Sequence, residues 1–480
     1  PESIVKKYKL IAIDKKDDSL VVAMADPLNF FAIDDIKLYT KMGVIPCLAS
    51  GADLEKVIER YYSNILTQKA LNEFSDTFVP AEDDIGAEEE MLEVTTAPIV
   101  KLINSIIEQA MRSRASDIHI EPSHNDIRVR FRIDGDLKEV MALPKSNLSA
   151  IVTRVKIIGR MDIAEKRIPQ DGRVEMKFND NEIDLRISTL PTVYGEKIVF
   201  RILDKSNFNF TKEGLGFSQD NLNKLNKMIA QPYGMLLVTG PTGSGKTTTL
   251  YTVLRELNVQ TKNVITVEDP VEYKLKGINQ VQVNTKAGMT FAAGLRSILR
   301  QDPDTIMIGE IRDSETAEIA VRAAITGHLV LSTLHTNDSP STIARLIDMG
   351  LEPYLVSSAV IGIISQRLVK LLCPKCKEKY EASDSEKKIL GIDGNKEIKL
   401  FKPVGCNACN NGYRGRAAVH EVMLVNENIR RLINKGASTD DIRSRALEDG
   451  MSTLLQSAAD LALKGDTSFE EIMRAGYTIG

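Results

Sequence analysis

The segment Gly240-Pro-Thr-Gly-Ser-Gly-Lys-Thr247 has the residue types needed to hold a triphosphate. Gly240, Gly243 and Gly245 let the backbone curl so that amide N–H groups point at phosphate oxygens. A helix opening near Lys246 adds its positive end. The Lys246 ammonium can reach the β- and γ-phosphates, and the Thr247 hydroxyl can ligate Mg2+. The nucleotide-binding set is therefore Gly240, Pro241, Thr242, Gly243, Ser244, Gly245, Lys246, Thr247 and Thr248. Three more segments follow: Val267-Glu-Asp-Pro-Val-Glu272, Ile308-Gly-Glu-Ile-Arg-Asp313 and Ser332-Thr-Leu-His-Thr-Asn-Asp338. Glu268 and Asp269 close one apolar run and Glu310 closes another. Phosphoryl transfer uses such carboxylates to hold Mg2+ and to orient or deprotonate the attacking water. For any one of them the alternative is a helix cap or a salt bridge, and for Asp269 that is the better reading. His335 follows a strand end at the same edge and could hydrogen-bond the γ-phosphate, whereas His328 reads as packing.

Chemistry on a γ-phosphate also calls for an arginine to take up transition-state charge, worth roughly 10³–10⁵ in rate. Arg296, Arg300 and Arg312 lie among these segments. Upstream stand Arg173, Arg186, Arg201 and the row Arg128, Arg130 and Arg132. In a ring, a neighbouring copy would bring an upstream arginine to the site. An exposed, solvated strand face is the competing reading.

Four of the five cysteines form a second constellation, Cys373-Pro-Lys-Cys376 and Cys406-Asn-Ala-Cys409. Two such knuckles suit tetrahedral Zn2+. A thioredoxin-like redox role needs a βαβ context that is missing here, and free thiols are the remaining alternative. The stretch between the knuckles is long for a zinc ribbon, so a helical insertion is expected there. Cys47 reads as a small buried hydrophobe.

The elements that must position these groups are legible from apolar periodicity. Residues 235–238, 264–267, 305–308 and 329–331 are short apolar runs without polar alternation. They read as strands buried on both faces of a parallel sheet, with ligands at the carboxyl ends. This α/β unit spans 211–372. Before it, 96–210 reads as an α+β domain. A helix capped at Thr95 or Thr96 carries Ile99, Leu102, Ile103, Ile106, Ile107 and Ala110 at helical spacing. An antiparallel meander follows, with strands at 127–133, 174–178, 183–187 and 198–202 and a hairpin turn at Asp134-Gly135. Residues 1–65 form a small N-terminal α/β module with apolar runs at 10–13 and 20–24 and a helix over about 52–62. The acidic stretch 66–95 reads as a solvated linker, with a charged surface helix as the alternative. Past the core, 373–416 is the tetracysteine zinc element and 417–480 a helical subdomain, with helices at 452–464 and 468–475.

Bulk properties narrow the class. The 480 residues suffice for about three or four domains. A net charge of −4 gives no global case for a nucleic-acid partner. No apolar run reaches the roughly 18 residues of a spanning helix. Residue 1 is Pro rather than Met, which suggests a piece of a longer chain.

The four segments resemble the Walker A, Asp, Walker B and His boxes of the secretion ATPases that drive type II secretion and type IV pili. The fuller matches are Gly240-Pro-Thr-Gly-Ser-Gly-Lys-Thr-Thr-Thr249, Arg300-Gln-Asp-Pro-Asp-Thr-Ile-Met-Ile-Gly-Glu-Ile-Arg-Asp313 and Thr326-Gly-His-Leu-Val-Leu-Ser-Thr-Leu-His-Thr-Asn-Asp338. The likeness runs from about residue 96 to the end, and the N-terminal module resembles that family's smaller preceding domain. The resemblance implies a RecA-like P-loop ATPase core behind an α+β, PAS-like domain, with ATP, Mg2+ and Zn2+ as cofactors. It implies Glu268 as general base, Glu310 with Thr247 at Mg2+, and His335 on the γ-phosphate. It further implies a homo-hexameric ring in which Arg173, Arg186 and Arg201 are candidates to act across the subunit boundary. Gly309 stands where an acidic residue usually precedes the Walker B glutamate. This is the family's own pattern, and it leaves the division of labour between Glu268 and Glu310 open.

Retraction motors of this superfamily generally lack both the tetracysteine and the N-terminal module, which extension and type II motors carry. The chain thus resembles an assembly motor, peripheral at the cytoplasmic face of the inner membrane and acting through a platform protein. Asn337-Asp-Ser-Pro-Ser-Thr342 and Glu421-Val-Met423 favour pilus assembly over type II secretion. A DNA-translocating ring and a non-hydrolysing nucleotide-gated scaffold are the other classes. No nucleic-acid partner is expected.

Overall fold

Ile127, Val129 and Phe131 alternate with Arg128, Arg130 and Arg132, and strand geometry sends the two sets to opposite faces. In the computed structural model all three apolar side chains are buried. The structure describes residues 2–51, 53, 54, 57, 58, 97–178, 181–204, 211–393 and 397–476. The linker expected over 66–95, the cap at Thr95 or Thr96 and most of the helix over 52–62 lie outside the described residues. The chain divides into two compact units, Pro1–Ser206 and Asn207–Gly480.

The first unit begins with three strands, β1 (Leu10–Lys16), β2 (Ser19–Met24) and β3 (Gly43–Leu48), in the order β1-β2-β3. β1 pairs antiparallel and β3 parallel with β2. The helix Phe30–Thr40 adds Ala32 and Ile36 to a core with Val22 and Met24.

Six further strands form an antiparallel sheet. They are β4 (Ala115–Pro122), β5 (Asp126–Ile133), β6 (Asp136–Pro144), β7 (Gln170–Phe178), β8 (Asn181–Thr192) and β9 (Gly195–Asp204). The order β6-β5-β4-β9-β8-β7 joins two meanders edge to edge through β4 and β9. Asp134 and Gly135 both adopt positive φ (51° and 96°), as a two-residue hairpin turn between paired Ile133 and Asp136 requires.

The helix Ala97–Arg112 covers the sheet, and all six side chains expected on its inner face are buried. A second helix, Leu148–Gly159, packs beside it and corrects the expectation of one helix plus a meander. Its Ile151, Val152, Thr153, Val155, Ile157 and Ile158 are β-branched, so local preference argues for a strand. Burial of Ile151 and Val155 against the sheet overrides that preference.

The second unit is built on β10 (Gly234–Thr239), β11 (Val264–Glu268), β12 (Asn279–Gln282), β13 (Thr305–Ile308), β14 (Leu329–Leu334), β15 (Val360–Leu372) and β18 (Tyr413–Leu424). Their order is β12-β11-β13-β14-β10-β15-β18. Every residue of β10, β11, β13 and β14 is buried, because helices cover both faces. Met235 and Leu237 face one apolar core, and Leu236 and Val238 face the other. All the pairings are parallel except β15 with β18. The stretch expected to be helical from 417 thus opens with a strand of the main sheet. Val419, Val422 and Met423 are all buried there, so the period-two signal of a half-exposed strand is missing.

Residues 373–412 are an insertion between two adjacent antiparallel strands. It contains the paired strands β16 (Glu378–Glu381) and β17 (Lys399–Lys402) and the short helix Asp384–Ile389, in line with the expected helical insertion. The helices Leu454–Leu463 and Phe469–Gly476 match the expected pair. Glu427–Asn434 and Thr439–Glu448 are two further helices of the expected helical stretch. Among the described residues no helix is long and apolar enough to cross a membrane.

Candidate active site and metal centre

The P-loop leaves β10 at buried Thr239 and ends at the helix Lys246–Leu257. Gly240 holds φ at 142°, and a Cβ there would sit 2.4 Å from the Gln366 carbonyl oxygen. Gly245 holds φ at 88°, with the Gln366 amide 2.8 Å from its would-be Cβ. A side chain at Gly240 would press on the backbone of the strand beneath, and one at Gly245 would take a strained backbone conformation and displace the Gln366 amide. Gln366, on β15, donates to the Ser244 carbonyl at 2.7 Å and accepts from the Thr249 hydroxyl at 2.7 Å. It therefore braces both the loop and the helix that follows. Pro241, Thr242, Gly243 and Thr247 are exposed along the loop, and Thr248 is half-buried.

Lys246 donates to the carbonyl oxygens of Gly240 at 2.8 Å and Pro241 at 3.1 Å. Loss of hydration pushes its ammonium down to about 8. The Glu310 carboxylate opposes that shift and the Arg367 guanidinium adds to it. Glu310 ends the β13 side of the site and pairs with Arg312 and, at 3.5 Å, with His335. His335 is half exposed. His328 instead lies against the end of its helix, its Nδ1 3.0 Å from the Ala323 carbonyl.

Glu268 occupies a different environment. It is 3% exposed and collared by neutral donors. The Thr266 hydroxyl reaches Oε1 at 2.5 Å, the Gln280 amide reaches the same oxygen at 3.0 Å, and the Tyr251 hydroxyl donates to Oε2. The Glu272 N–H donates to the Tyr251 oxygen at 3.2 Å, which directs the phenolic proton at Glu268. Burial and the Glu268 carboxylate push the phenol's pKa up, so Tyr251 stays a donor. Gly309 explains its own presence: a Cβ there would lie 3.3 Å from Glu268 Cα and 3.4 Å from the Val267 carbonyl. An acidic residue there would press on the Glu268 backbone, which would have to give by a few tenths of an ångström.

Sequence reasoning missed Gln366, Arg367 and Tyr251. Tyr251 falls on the buried face of its helix and reads as core. The other two carry no local signal.

In the first unit the three candidate arginines share one cross-strand row. Arg173 faces Arg186 and Arg186 faces Arg201, with Asp117 next in line. Directly opposed residues share a sheet face, and like charges so placed destabilise it. Carboxylates offset this. Asp184 takes a bidentate contact from Arg173, and Asp117 binds Arg201 Nε at 3.2 Å. Arg296 pairs with Glu315.

The four cysteine sulfurs all lie within 4.8 Å of one another. Adjacent pairs are 3.9, 3.7 and 3.6 Å apart for Cys373–Cys406, Cys376–Cys409 and Cys406–Cys409. Sulfurs about 2.3 Å from a tetrahedral Zn2+ are separated by about 3.8 Å. The four cysteines thus have the spacing to bind a metal and are compatible with zinc.

A P-loop on a parallel sheet, with carboxylates and a histidine at neighbouring strand ends, defines a nucleoside triphosphatase of the P-loop class. The chain belongs to the type II/IV secretion system protein family, whose sequence model matches residues 93–474; an MshEN domain model matches residues 1–68. The chain is 46% identical over 481 residues to the type IV pilus assembly ATPase PilB of Myxococcus xanthus, covering 98% of this chain and 85% of that one. It is 41% identical over 482 residues to the type II secretion system ATPase E of Vibrio cholerae, covering 99% and 96%. A crystal structure of the pilus retraction motor PilT with bound ADP superposes with a TM-score of 0.55 at 27% identity, covering 78% of this chain and 96% of that one. The chain is accordingly a secretion and pilus motor ATPase.

Proposed function

We propose that the chain powers type IV pilus assembly, as a homo-hexameric ring at the cytoplasmic face of the inner membrane. Hydrolysis drives rigid-body domain motion, and a membrane platform protein passes that motion to pilin addition. The carrying observation is the 46% identity to a pilus assembly ATPase across 98% of the chain, N-terminal module and cysteine insertion included. The type II secretion motor is the second reading, favoured by a relative of that name matched over 99% of the chain. A deletion strain separates the two. Loss of surface pili with exoprotein release intact is expected, and the reverse result would reassign the motor to secretion.

In this reading Lys246 and the P-loop amides hold the β- and γ-phosphates. Thr247 and Glu310 would hold Mg2+, which neutralises phosphate charge when bound. A carboxylate offers about four acceptor positions, and the collar of Glu268 uses three. The fourth is left for the attacking water, which Glu268 orients and deprotonates. Burial keeps that carboxylate in one orientation, as general-base chemistry requires. His335 reads the terminal phosphate. The row Arg173, Arg186 and Arg201 supports a ring, since a neighbour's first unit would supply transition-state charge there. The cysteine quartet holds structural Zn2+.

Gly309→Asp tests the assignment of Glu268. The new side chain pushes on the Glu268 backbone, and misplacement by a fraction of an ångström to 1 Å is expected to lower kcat about 10- to 100-fold. ADP affinity should change little. Unchanged turnover in a folded Gly309→Asp protein would remove Glu268 from the chemistry.

A further inference from the structure

Among the described residues Arg367 is a cation without a counter-ion, and its place in the fold indicates what the counter-ion is. β15 runs parallel to β10 with Thr239 opposite Ser365, so Gln366 and Arg367 continue past the end of β10 alongside the P-loop. Arg367 is only 8% exposed. Its Nη1 lies 3.2 Å from the point a Gly240 Cβ would occupy. Its donors meet neutral acceptors alone: the Gln366 carbonyl at 3.4 Å, the Asn337 carbonyl at 3.2 Å and Asn337 Oδ1 at 3.4 Å.

Among the described residues no ion pair involves Arg367. The carboxylates whose field reaches it, Asp338 and Glu421, are engaged elsewhere. Asp338 pairs with Arg443 at 2.9 Å and caps its helix at Ser341. Glu421 accepts from the Ser339 N–H at 2.7 Å. Lys246 is a second, partly desolvated cation nearby. Burying a guanidinium among carbonyl groups beside an ammonium is unfavourable for the protein alone. An anion arriving between the two relieves both, and the anion this loop takes is the triphosphate of ATP.

We infer that Arg367 is a further triphosphate-binding residue, supplied by the same chain, that contacts the terminal phosphate of ATP. Its Nη2 sits on Asn337, two residues beyond His335, while its Nη1 sits at Gly240. It therefore joins the P-loop to the His335 loop on the side where the γ-phosphate ends. The contact lets the site distinguish ATP from ADP. The inference depends on the P-loop as the nucleotide site and not on which machine the motor serves.

The test uses the full chain with Arg367→Gln and Arg367→Lys, measuring the Kd of Mg-ADP and of a Mg-bound imido analogue of ATP. Arg367→Gln should weaken the analogue about 10- to 100-fold, the scale of a hydrogen bond to a charged group, and ADP less than about 3-fold. Arg367→Lys should recover part of that loss. The nucleotide-free Arg367→Gln protein should melt no lower than the wild type, because removing an unpaired buried cation relieves a cost. Equal weakening of ADP and the analogue, or no weakening of either, overturns the inference. So does a lower melting temperature with unchanged discrimination, which is the signature of a structural arginine. Retained ADP binding in Arg367→Gln shows that the P-loop site stands whichever way the analogue behaves.

Discussion

Lys246→Ala is expected to lower ATP turnover by about 10²–10³-fold or more, the effect of removing one preorganised group aimed at developing charge. Thermal stability should be retained. The ammonium is partly desolvated and, among the described residues, bonded to the Gly240 and Pro241 carbonyls, so its loss removes a burial cost along with two modest hydrogen bonds. A second signature is pH-dependent. The folded protein holds Lys246 at about 8, below its ordinary 10.5. Between those values the unfolded chain binds more protons than the folded one, so this group's contribution to stability rises as pH climbs through that window.

Bound phosphate acts in the opposite direction on the same group. It favours the charged ammonium and raises its pKa, so ATP binding near pH 8–9 should be accompanied by proton uptake. Calorimetric titrations in two buffers of different ionisation enthalpy measure that uptake directly. Wild-type protein should show it and Lys246→Ala should not. The same dependence of the heat on buffer in the two proteins would mean that Lys246 does not meet the phosphates.

These effects concern residues that were legible because their chemistry is contiguous. The P-loop needs only residues 240–248 in order, and the carboxylates and His335 lie at the ends of short strands without polar alternation. The inner face of the helix Ala97–Arg112 was equally readable, since six buried side chains at helical spacing leave little ambiguity. What escaped depends on register between distant strands. Gln366 braces Ser244 from 122 residues away only because β15 is laid beside β10. Nothing local to the Ser-Gln-Arg stretch announces that neighbour. The helix Leu148–Gly159 escaped for another reason: its β-branched residues carry a strand preference that burial overrules. The strand Tyr413–Leu424 escaped because both faces of its second half, Val419–Met423, are covered. Local chemistry and one-sided periodicity survive in a sequence, whereas long-range register does not.

The insertion 373–412 is where metal removal should act most strongly, and the effect should be local. Its apolar contribution is modest: Ala382 and Leu400 are buried in a core with Ala458, Ala459 and Ala462, and Tyr380, Leu390 and Ile398 pack against it only partly buried. So little side-chain area stabilises a loop of this length weakly. A structural Zn2+ contributes about 10–16 kcal/mol in zinc-finger peptides, enough to decide whether such a loop is ordered. The helices beyond it are attached independently. The Lys370 N–H donates to Glu471 at 2.8 Å, the Thr467 hydroxyl donates to the Lys370 carbonyl at 2.7 Å, and Tyr413 meets Ser468 at 2.8 Å.

Cys406→Ser, or a strong chelator, should therefore release the metal and open residues 377–405 to protease while β15, β18 and the C-terminal helices persist. ADP binding at the P-loop should survive, because no cysteine of the quartet belongs to it. Metal analysis of protein never exposed to chelator should give about one zinc per chain, falling to a small fraction in Cys406→Ser. Less than about half an equivalent in the wild type, or an insertion that resists protease after the metal is gone, would show that packing alone orders this element.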